Sequence, residues 1–144
     1  MTGYRCSKFR WDCSMDGCYH ESLPDWEDIC TTVFPRGIYP TDVDGMVEMN
    51  GHLLFLEQKG PGVGIDTGQR LAMRHLANLS TKVTVLFMRP GKASDLEVLL
   101  YRRDVEAMGW QPWTRPQLLD WLRHWAGRAA QDLTPEVGVA CSRN

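Results

Sequence analysis

Apolar and polar residues follow strand-like periods in some parts of the chain and helix-like periods in others, and these periods predict its elements. Residues 41–59 predict two strands joined by a turn, because Asn50-Gly51, the strongest short signal for a tight hairpin, precedes an apolar run at 53–56. Stretches rich in aliphatic residues predict two further strands, at 82–88 and 95–103. Residues 109–112, which include a glycine and a proline, are expected to be a break.

Apolar residues at helical spacing predict three helices. The first covers residues 24–33, the second runs from a cap at Asp66 or Thr67 to about residue 79, and the third runs from the cap Thr114 to about residue 130. The apolar positions expected to face the core in the second helix are Leu71, Ala72, His75, Leu76 and Leu79. Those expected in the third helix are Leu118, Leu122, Trp125 and Ala129.

The length predicts one domain over residues 1–144, and the order of the predicted helices and strands predicts an α/β fold of the mixed-sheet α+β kind. The chain is 43% hydrophobic and 24% charged, and it contains no apolar run long enough to cross a membrane. No secretory signal is visible, and an odd count of five cysteines is typical of reduced thiols, so we expect a cytoplasmic protein. The net charge of −2 argues against a large non-specific DNA footprint but leaves room for a local basic patch.

Four metal-ligating residue types lie close together near the N-terminus. Cys6, Cys13, Cys18 and His20 could ligate zinc, but they contain no C-x-x-C pair, so the spacing is poor for a zinc knuckle. A zinc-stabilised interaction module is therefore the weakest functional hypothesis, and free thiols are the preferred interpretation.

The second strand of the predicted hairpin ends in charged residues. Because alternate strand residues share a face, Glu57 and Lys59 should point the same way, directly after a run of apolar residues. Asp42 and Asp44 on the neighbouring strand share a face with each other, so either could join this cluster. Carboxylates beside one cation form a site suited to a divalent metal with oxygen ligands. The alternative is an ordinary edge hairpin with a solvated charge pair at its end.

At these positions the sequence resembles the PD-(D/E)XK nuclease superfamily. Pro40 with Asp42 and Asp44 matches the P-D half of the motif, and the Glu-Gln-Lys of 57–59 matches the E-x-K half. The resemblance covers roughly residues 20–90. It implies a restriction-endonuclease-like αβββαβ core with an extra strand and a C-terminal helix, although only residues 34–40 are available for the strand before the Asp-bearing one. The N-terminal residues 4–11 are an alternative source of that strand.

The resemblance implies a metal-dependent DNA endonuclease or exonuclease using Mg²⁺ or Mn²⁺. The implied metal ligands are Asp44, Glu57 and the Gln58 carbonyl, with Asp42 as the alternative aspartate. Lys59 is expected to orient or deprotonate the attacking water, or to bind the scissile phosphate.

Five more residues are candidates for supporting roles. Gln69 is placed like the glutamine that some family members carry on the helix after E-x-K, and Glu27 or Glu21 could match a glutamate found on the first helix of others. Arg70 and Arg74, four residues apart, are candidate phosphate contacts. For the glutamine and the glutamates, a solvated helix residue is an equally good interpretation.

Tryptophans crowd the C-terminal part of the chain, at Trp110, Trp113, Trp121 and Trp125. Core packing is the first interpretation and a homodimer surface the second; stacking on nucleic-acid bases is a third. The Trp-rich helix also motivates an alternative function. In that alternative the protein is a catalytically silent binding protein with a nuclease fold, an inhibitor or accessory factor that docks on a protein or nucleoprotein partner.

Overall fold

The computed structural model describes residues 26–35, 38, 40–105 and 108–132. The chain divides into two compact units, Met1–Asp42 and Val43–Asn144. The described part of the first unit contains one helix, α1 (Trp26–Val33), on which Cys30 is buried. Glu21 and the cluster of Cys6, Cys13, Cys18 and His20 lie outside the described residues. That the chain is a single domain stays a prediction.

The second unit is a mixed five-stranded sheet with two helices. Its elements are β1 (Gly45–Met49), β2 (His52–Gln58), α2 (Thr67–Asn78), β3 (Val83–Pro90), β4 (Leu96–Arg102), β5 (Gln111–Trp113) and α3 (Arg115–Gln131). The strands lie in the order β1-β2-β3-β4-β5. β2 and β3 are parallel and are connected through α2, whereas the other neighbouring pairs are antiparallel. The mixed α and β fold class is confirmed.

The β1–β2 hairpin forms where the sequence predicts it. Asn50 and Gly51 both have positive φ, 52° and 78°, which are the values a two-residue hairpin turn requires. The register pairs Met49 with His52 and continues to Gly45 opposite Leu56. The turn and the register together decide which residues meet at the far end of the hairpin.

Each face of the sheet packs against one helix. Odd-numbered residues of β3 and β4, such as Val85 and Leu99, pack against α2, and even-numbered residues, such as Leu86 and Val98, pack against α3. Trp125 and Ala129 are the buried residues of α3, with Leu118 and Leu122 partly buried, so the predicted stripe is confirmed. Trp113 and Trp121 pack beside them with ring centroids 6.0 Å apart. Trp110 packs against the buried cluster on the α2 face, so core packing accounts for all four C-terminal tryptophans.

The buried face of α2 differs from the predicted one. Asp66 caps the helix as expected, but Met73 and Ala77 are its buried residues and Leu76 is only partly buried. Leu71 is 49% exposed and Leu79 is 73% exposed, so the prediction that they cover the sheet is wrong. The small side chain of Ala77 lets the helix backbone approach the sheet on that side, and the larger leucines are turned outward.

Two strand predictions also need correction. The segment expected to be a break, residues 109–112, overlaps β5, a three-residue strand that pairs with the first half of β4 and extends the sheet at its edge. In the described residues between α1 and β1 no strand is present, so two strands precede α2 there and not the three of the predicted core. None of the helices in the described part of the chain is both long and apolar enough to cross a membrane.

Candidate functional site

The hairpin register places two carboxylates side by side at the open end of β1 and β2. Asp44 lies one residue before Gly45, and Glu57 lies one residue after Leu56, the partner of Gly45. The backbone N–H of Asp44 donates to Oε1 of Glu57 at 3.3 Å, and the backbone N–H of Gln58 donates to Oδ2 of Asp44 at 2.6 Å. Each carboxylate is therefore oriented by the other strand's backbone.

Glu57 is buried although it carries a carboxylate. Its side chain points to the α2 side of the sheet, as Phe55 does, and it is only 2% exposed. Nε2 of Gln69 donates to Oε2 of Glu57 at 2.8 Å. Gln69 is held in turn by Asp66, whose Oδ1 accepts from the Gln69 backbone N–H at 2.9 Å. The cap of α2 thus positions the glutamine that contacts the buried carboxylate.

The surroundings of Glu57 raise the pKa of its carboxyl above the ordinary value of 4.5. Burial is the largest cause and the negative charge of Asp44 is the second. The hydrogen bonds from Asp44 and Gln69 and the positive charge of Lys59 act in the opposite direction without reversing the shift. The ionised carboxylate therefore lacks sufficient compensating positive charge among the described residues.

Lys59 continues the line of β2 past its last residue. Its backbone N–H donates to the Met88 carbonyl at 2.8 Å, which keeps it beside β3, and its side chain is half-buried. Its charge lies close enough to favour the ionised form of Glu57. The structure therefore brings three of the predicted residues, Asp44, Glu57 and Lys59, into one charged cluster.

Of the remaining predicted residues that the structure describes, only one joins the charged cluster through its side chain. Gln69 joins the cluster through its amide, whereas the side chains of Gln58, Arg70 and Arg74 are exposed. Asp42 is the last residue of the first unit, whereas all residues of the charged cluster belong to the second unit. Of the two glutamates considered for a supporting role, Glu27 lies on α1 in the first unit and Glu21 lies outside the described residues.

A group that sequence reasoning missed lies on the same side of the sheet. Arg89, near the end of β3, donates to Oε2 of Glu97 on β4 at 2.6 Å and to the Val63 carbonyl at 2.8 Å. Its guanidinium also stacks 4.0 Å above the ring of Trp110. Arg89 therefore ties the loop after Lys59 to the sheet. The sequence did contain a signal for the ion pair, because Arg89 and Glu97 carry opposite charges at the facing ends of two consecutive predicted strands.

The donor set of the cluster suits a hard divalent cation. Asp44 and Glu57 supply carboxylate oxygens, each of which can accept a hydrogen bond and still offer a lone pair. Oε1 of Gln69 is buried and receives no hydrogen bond within the described part of the chain, so this acceptor is open to a donor such as a cation's hydration water. No three His, Cys, Asp or Glu side chains converge among the described residues. A site with only two carboxylates can still bind Mg²⁺, because proteins often hold this ion through one or two carboxylates while it keeps several water ligands.

Comparisons with known proteins found no match: no family model, no curated protein and no solved structure resembles this chain closely enough to be informative.

Proposed function

We propose that the chain is a Mg²⁺- or Mn²⁺-dependent nuclease that hydrolyses phosphodiester bonds in DNA, with a site of the PD-(D/E)XK kind. The observation that carries this proposal is the burial of Glu57 directly across from Asp44, with the charge of Lys59 beside them. Two neighbouring carboxylates, one of them buried, cost folding free energy unless a cation compensates them. A bound divalent ion provides that compensation.

The fold is compatible with a nuclease of this kind but does not by itself identify the chain as one. α1, β1, β2, α2 and β3 follow one another in the order of a restriction-endonuclease-like core, but with one strand fewer before α2 among the described residues, and the parallel β2–α2–β3 unit places the start of α2 beside the end of β2. β4, β5 and α3 would be additions to that core. We assign the chain to that architecture as part of the proposal.

Each residue of the cluster has a distinct task in the proposed reaction. Asp44 and Glu57 would hold the ion, with the Gln58 carbonyl as a further oxygen ligand. The ion, when bound, would lower the pKa of a water molecule and neutralise charge on the phosphate. Lys59 donates hydrogen bonds to a phosphate oxygen or to the attacking water, and Gln69 keeps the Glu57 carboxylate in one orientation.

Cleavage assays on duplex, single-stranded and four-way-junction DNA, with Mg²⁺ or Mn²⁺ and with EDTA, test the proposal. We expect cleavage that EDTA abolishes. Glu57→Gln keeps the size of the side chain but removes the charge, and we expect it to lower the rate at least about a hundredfold, because it removes an ion ligand. We expect Lys59→Ala to lower the rate about 10²–10³-fold, the usual cost of removing one charge-stabilising donor.

Matched variants away from the cluster separate a genuine site from a contaminating activity. Lys92→Ala removes an exposed lysine, and Asp120→Asn removes an exposed carboxylate from α3 on the other side of the sheet. Both should cut like the wild type. Equal cleavage by Glu57→Gln and Asp120→Asn would refute the assignment of the site. A wild type that cuts none of the substrates would leave the silent binding protein as the better account.

A further inference from the structure

A cleft of about 300 Å³ opens between the second half of α2 and the end of β4. Tyr101, which is buried, and the small Ala77 lie among its lining residues. Three guanidinium groups also line it, those of Arg74, Arg102 and Arg103, against a single carboxylate. The cleft therefore carries an excess of positive charge in a chain whose net charge is −2.

Two of these arginines are available to an external anion. Arg102 forms an ion pair with Asp104, with Nη2 of Arg102 and Oδ2 of Asp104 3.0 Å apart, so its charge is largely compensated. Arg74 and Arg103 are exposed and form no hydrogen bond or ion pair with any part of the chain that the structure describes. A guanidinium group presents several donors in a plane, which suits the oxygens of a phosphate. A cleft with two such groups has the chemistry of a phosphodiester site.

The strand register gives the distance between this cleft and the carboxylate cluster. Glu57 pairs with Phe87, and Phe87 pairs with Leu99, so these residues form one row across three strands. Arg102 lies three residues further along β4. With strands ~4.8 Å apart and ~3.3 Å per residue, the backbones of Glu57 and Arg102 are about 14 Å apart. Phosphates of one DNA strand are separated around the helix axis as well as by the ~3.4 Å rise along it, so a gap of this size corresponds to a few base-pair steps and fewer than the roughly four that the rise alone would give.

Arg70 lies between the two places. It precedes Arg74 by one helical turn, so the two exposed arginines project from the same side of α2. Arg70 belongs to the first turns of the helix, near Gln69 and the carboxylate cluster, whereas Arg74 lines the cleft. Positive groups therefore follow one side of α2 from the cluster to the cleft, which is the arrangement needed to guide a phosphate backbone.

We propose that this cleft binds a backbone phosphate of a DNA strand, a few base-pair steps from the phosphate at the carboxylate cluster. The proposal rests on the proposed nuclease function and adds a substrate requirement to it. DNA that reaches the cleft should bind more tightly than DNA that does not. It also accounts for DNA binding by an acidic chain, because the contacts are confined to a few arginines and do not form a broad basic surface.

Fluorescence anisotropy in EDTA, where no cleavage occurs, measures the contribution of the cleft. A labelled duplex of 16 base pairs is titrated with the wild type and with the double variant Arg74→Ala/Arg103→Ala at several salt concentrations. We expect the double variant to bind this duplex about tenfold more weakly and to lose about one unit of the slope of log K against log salt, because the cleft contacts one phosphate.

Two further variants serve as controls. Arg128→Ala removes an exposed arginine from the last turn of α3, on the opposite side of the sheet, and should bind as the wild type does. Arg103→Lys retains the positive charge and should retain most of the affinity. Thermal unfolding of every variant verifies that its fold is intact.

The outcomes distinguish failure of this inference from failure of the proposed function. Equal affinity of the double variant and the wild type for the duplex would overturn the inference, even if cleavage depends on Glu57 and Lys59. Loss of affinity in the double variant would support it, even if no cleavage is found. Saturation of the cleft by inorganic phosphate alone at submillimolar concentration would also overturn it, because the cleft would then be a site for a small anion.

Discussion

The two faces of the sheet contain different kinds of core. On the α3 face, the buried cluster is made of Leu54, Leu86, Val98 and Trp125 and is entirely apolar. On the α2 face, an apolar cluster around Phe87 gives way, toward the start of α2, to charged and amide groups. The polar groups there are Glu57, Gln69, Arg89 and Glu97.

This difference separates what stabilises the fold from what the proposed site requires. Only two polar residues are buried in the described part of the chain, Glu57 and Thr84, and only Glu57 can carry a charge. A buried carboxylate with a raised pKa disfavours folding relative to an apolar residue of the same size. The α3 face shows that this sequence can build a fully apolar core on the same strands. The polar end of the α2 face therefore fits a functional site better than a structural one.

The largest effect on stability should come from the α3 face. Trp125 is 5% exposed and packs against Leu54, Leu86 and Val98. Trp125→Ala should lower the free energy of unfolding by about 3–5 kcal/mol, because it leaves a cavity in a core with no polar group to admit water. Urea unfolding followed by circular dichroism measures the loss. A loss below about 1 kcal/mol would mean that α3 does not seal this face.

A smaller effect is expected at the polar end of the α2 face. Arg89→Ala removes the bond to Glu97, the bond to the Val63 carbonyl and the stacking on Trp110, and it leaves the carboxylate of Glu97 without its partner. We expect a loss of about 2 kcal/mol, together with faster amide exchange in the loop that contains Val63.

An exposed ion pair provides the control for that variant. Arg123 and Asp120 form a pair on α3 in which both side chains are more than half exposed, at 72% and 65%. Arg123→Ala should change the free energy of unfolding by less than about 0.5 kcal/mol. If Arg89→Ala changed the free energy of unfolding equally little, Arg89 would not hold the loop after Lys59 in place. The polar groups on the α2 face would then contribute no more to stability than an exposed ion pair on α3.

Local signals account for the elements that the sequence predicts well. Asn50-Gly51 imposes the hairpin turn, and from the turn the alternation of strand residues places Asp44 across from Glu57. Thr114 forms a capping box with Gln117, which marks the start of α3 independently of any distant contact. These features depend on residues close in sequence, so one sequence is enough to find them.

The features that were missed depend on distant contacts. The rotation of α2 is decided by which side chain fits against the sheet, and Ala77 fits where the more hydrophobic Leu79 does not. Val63 and Trp110 lie 26 and 21 residues away from Arg89 in the sequence, so these contacts form only when the tertiary structure brings the segments together. β5 is three residues long and contains Pro112, so it has no strand signal of its own and forms because β4 offers an edge.

The smallest effect expected, and the most specific one, is a difference in pH dependence at Glu57. Because the pKa of Glu57 is raised in the folded protein, the folded state keeps this proton to a higher pH than the unfolded state does. The favourable contribution is complete below the unfolded-state pKa and is lost as pH rises through the folded-state pKa. Glu57→Gln cannot lose a proton, so its stability should rise relative to the wild type across that window and then level off.

Urea unfolding of both proteins in EDTA, from pH 4 to pH 8, measures this difference. A second series with Mg²⁺ tests its origin, because a bound cation favours the ionised carboxylate and should reduce the pH dependence of the wild type without changing that of Glu57→Gln. Parallel stability curves for the two proteins in EDTA would show that folding does not raise the pKa of Glu57. The two faces of the sheet would then not differ in the electrostatic cost of their buried groups. If the two curves differ in EDTA and Mg²⁺ does not change them, Glu57 has a raised pKa but the proposed site does not bind the cation.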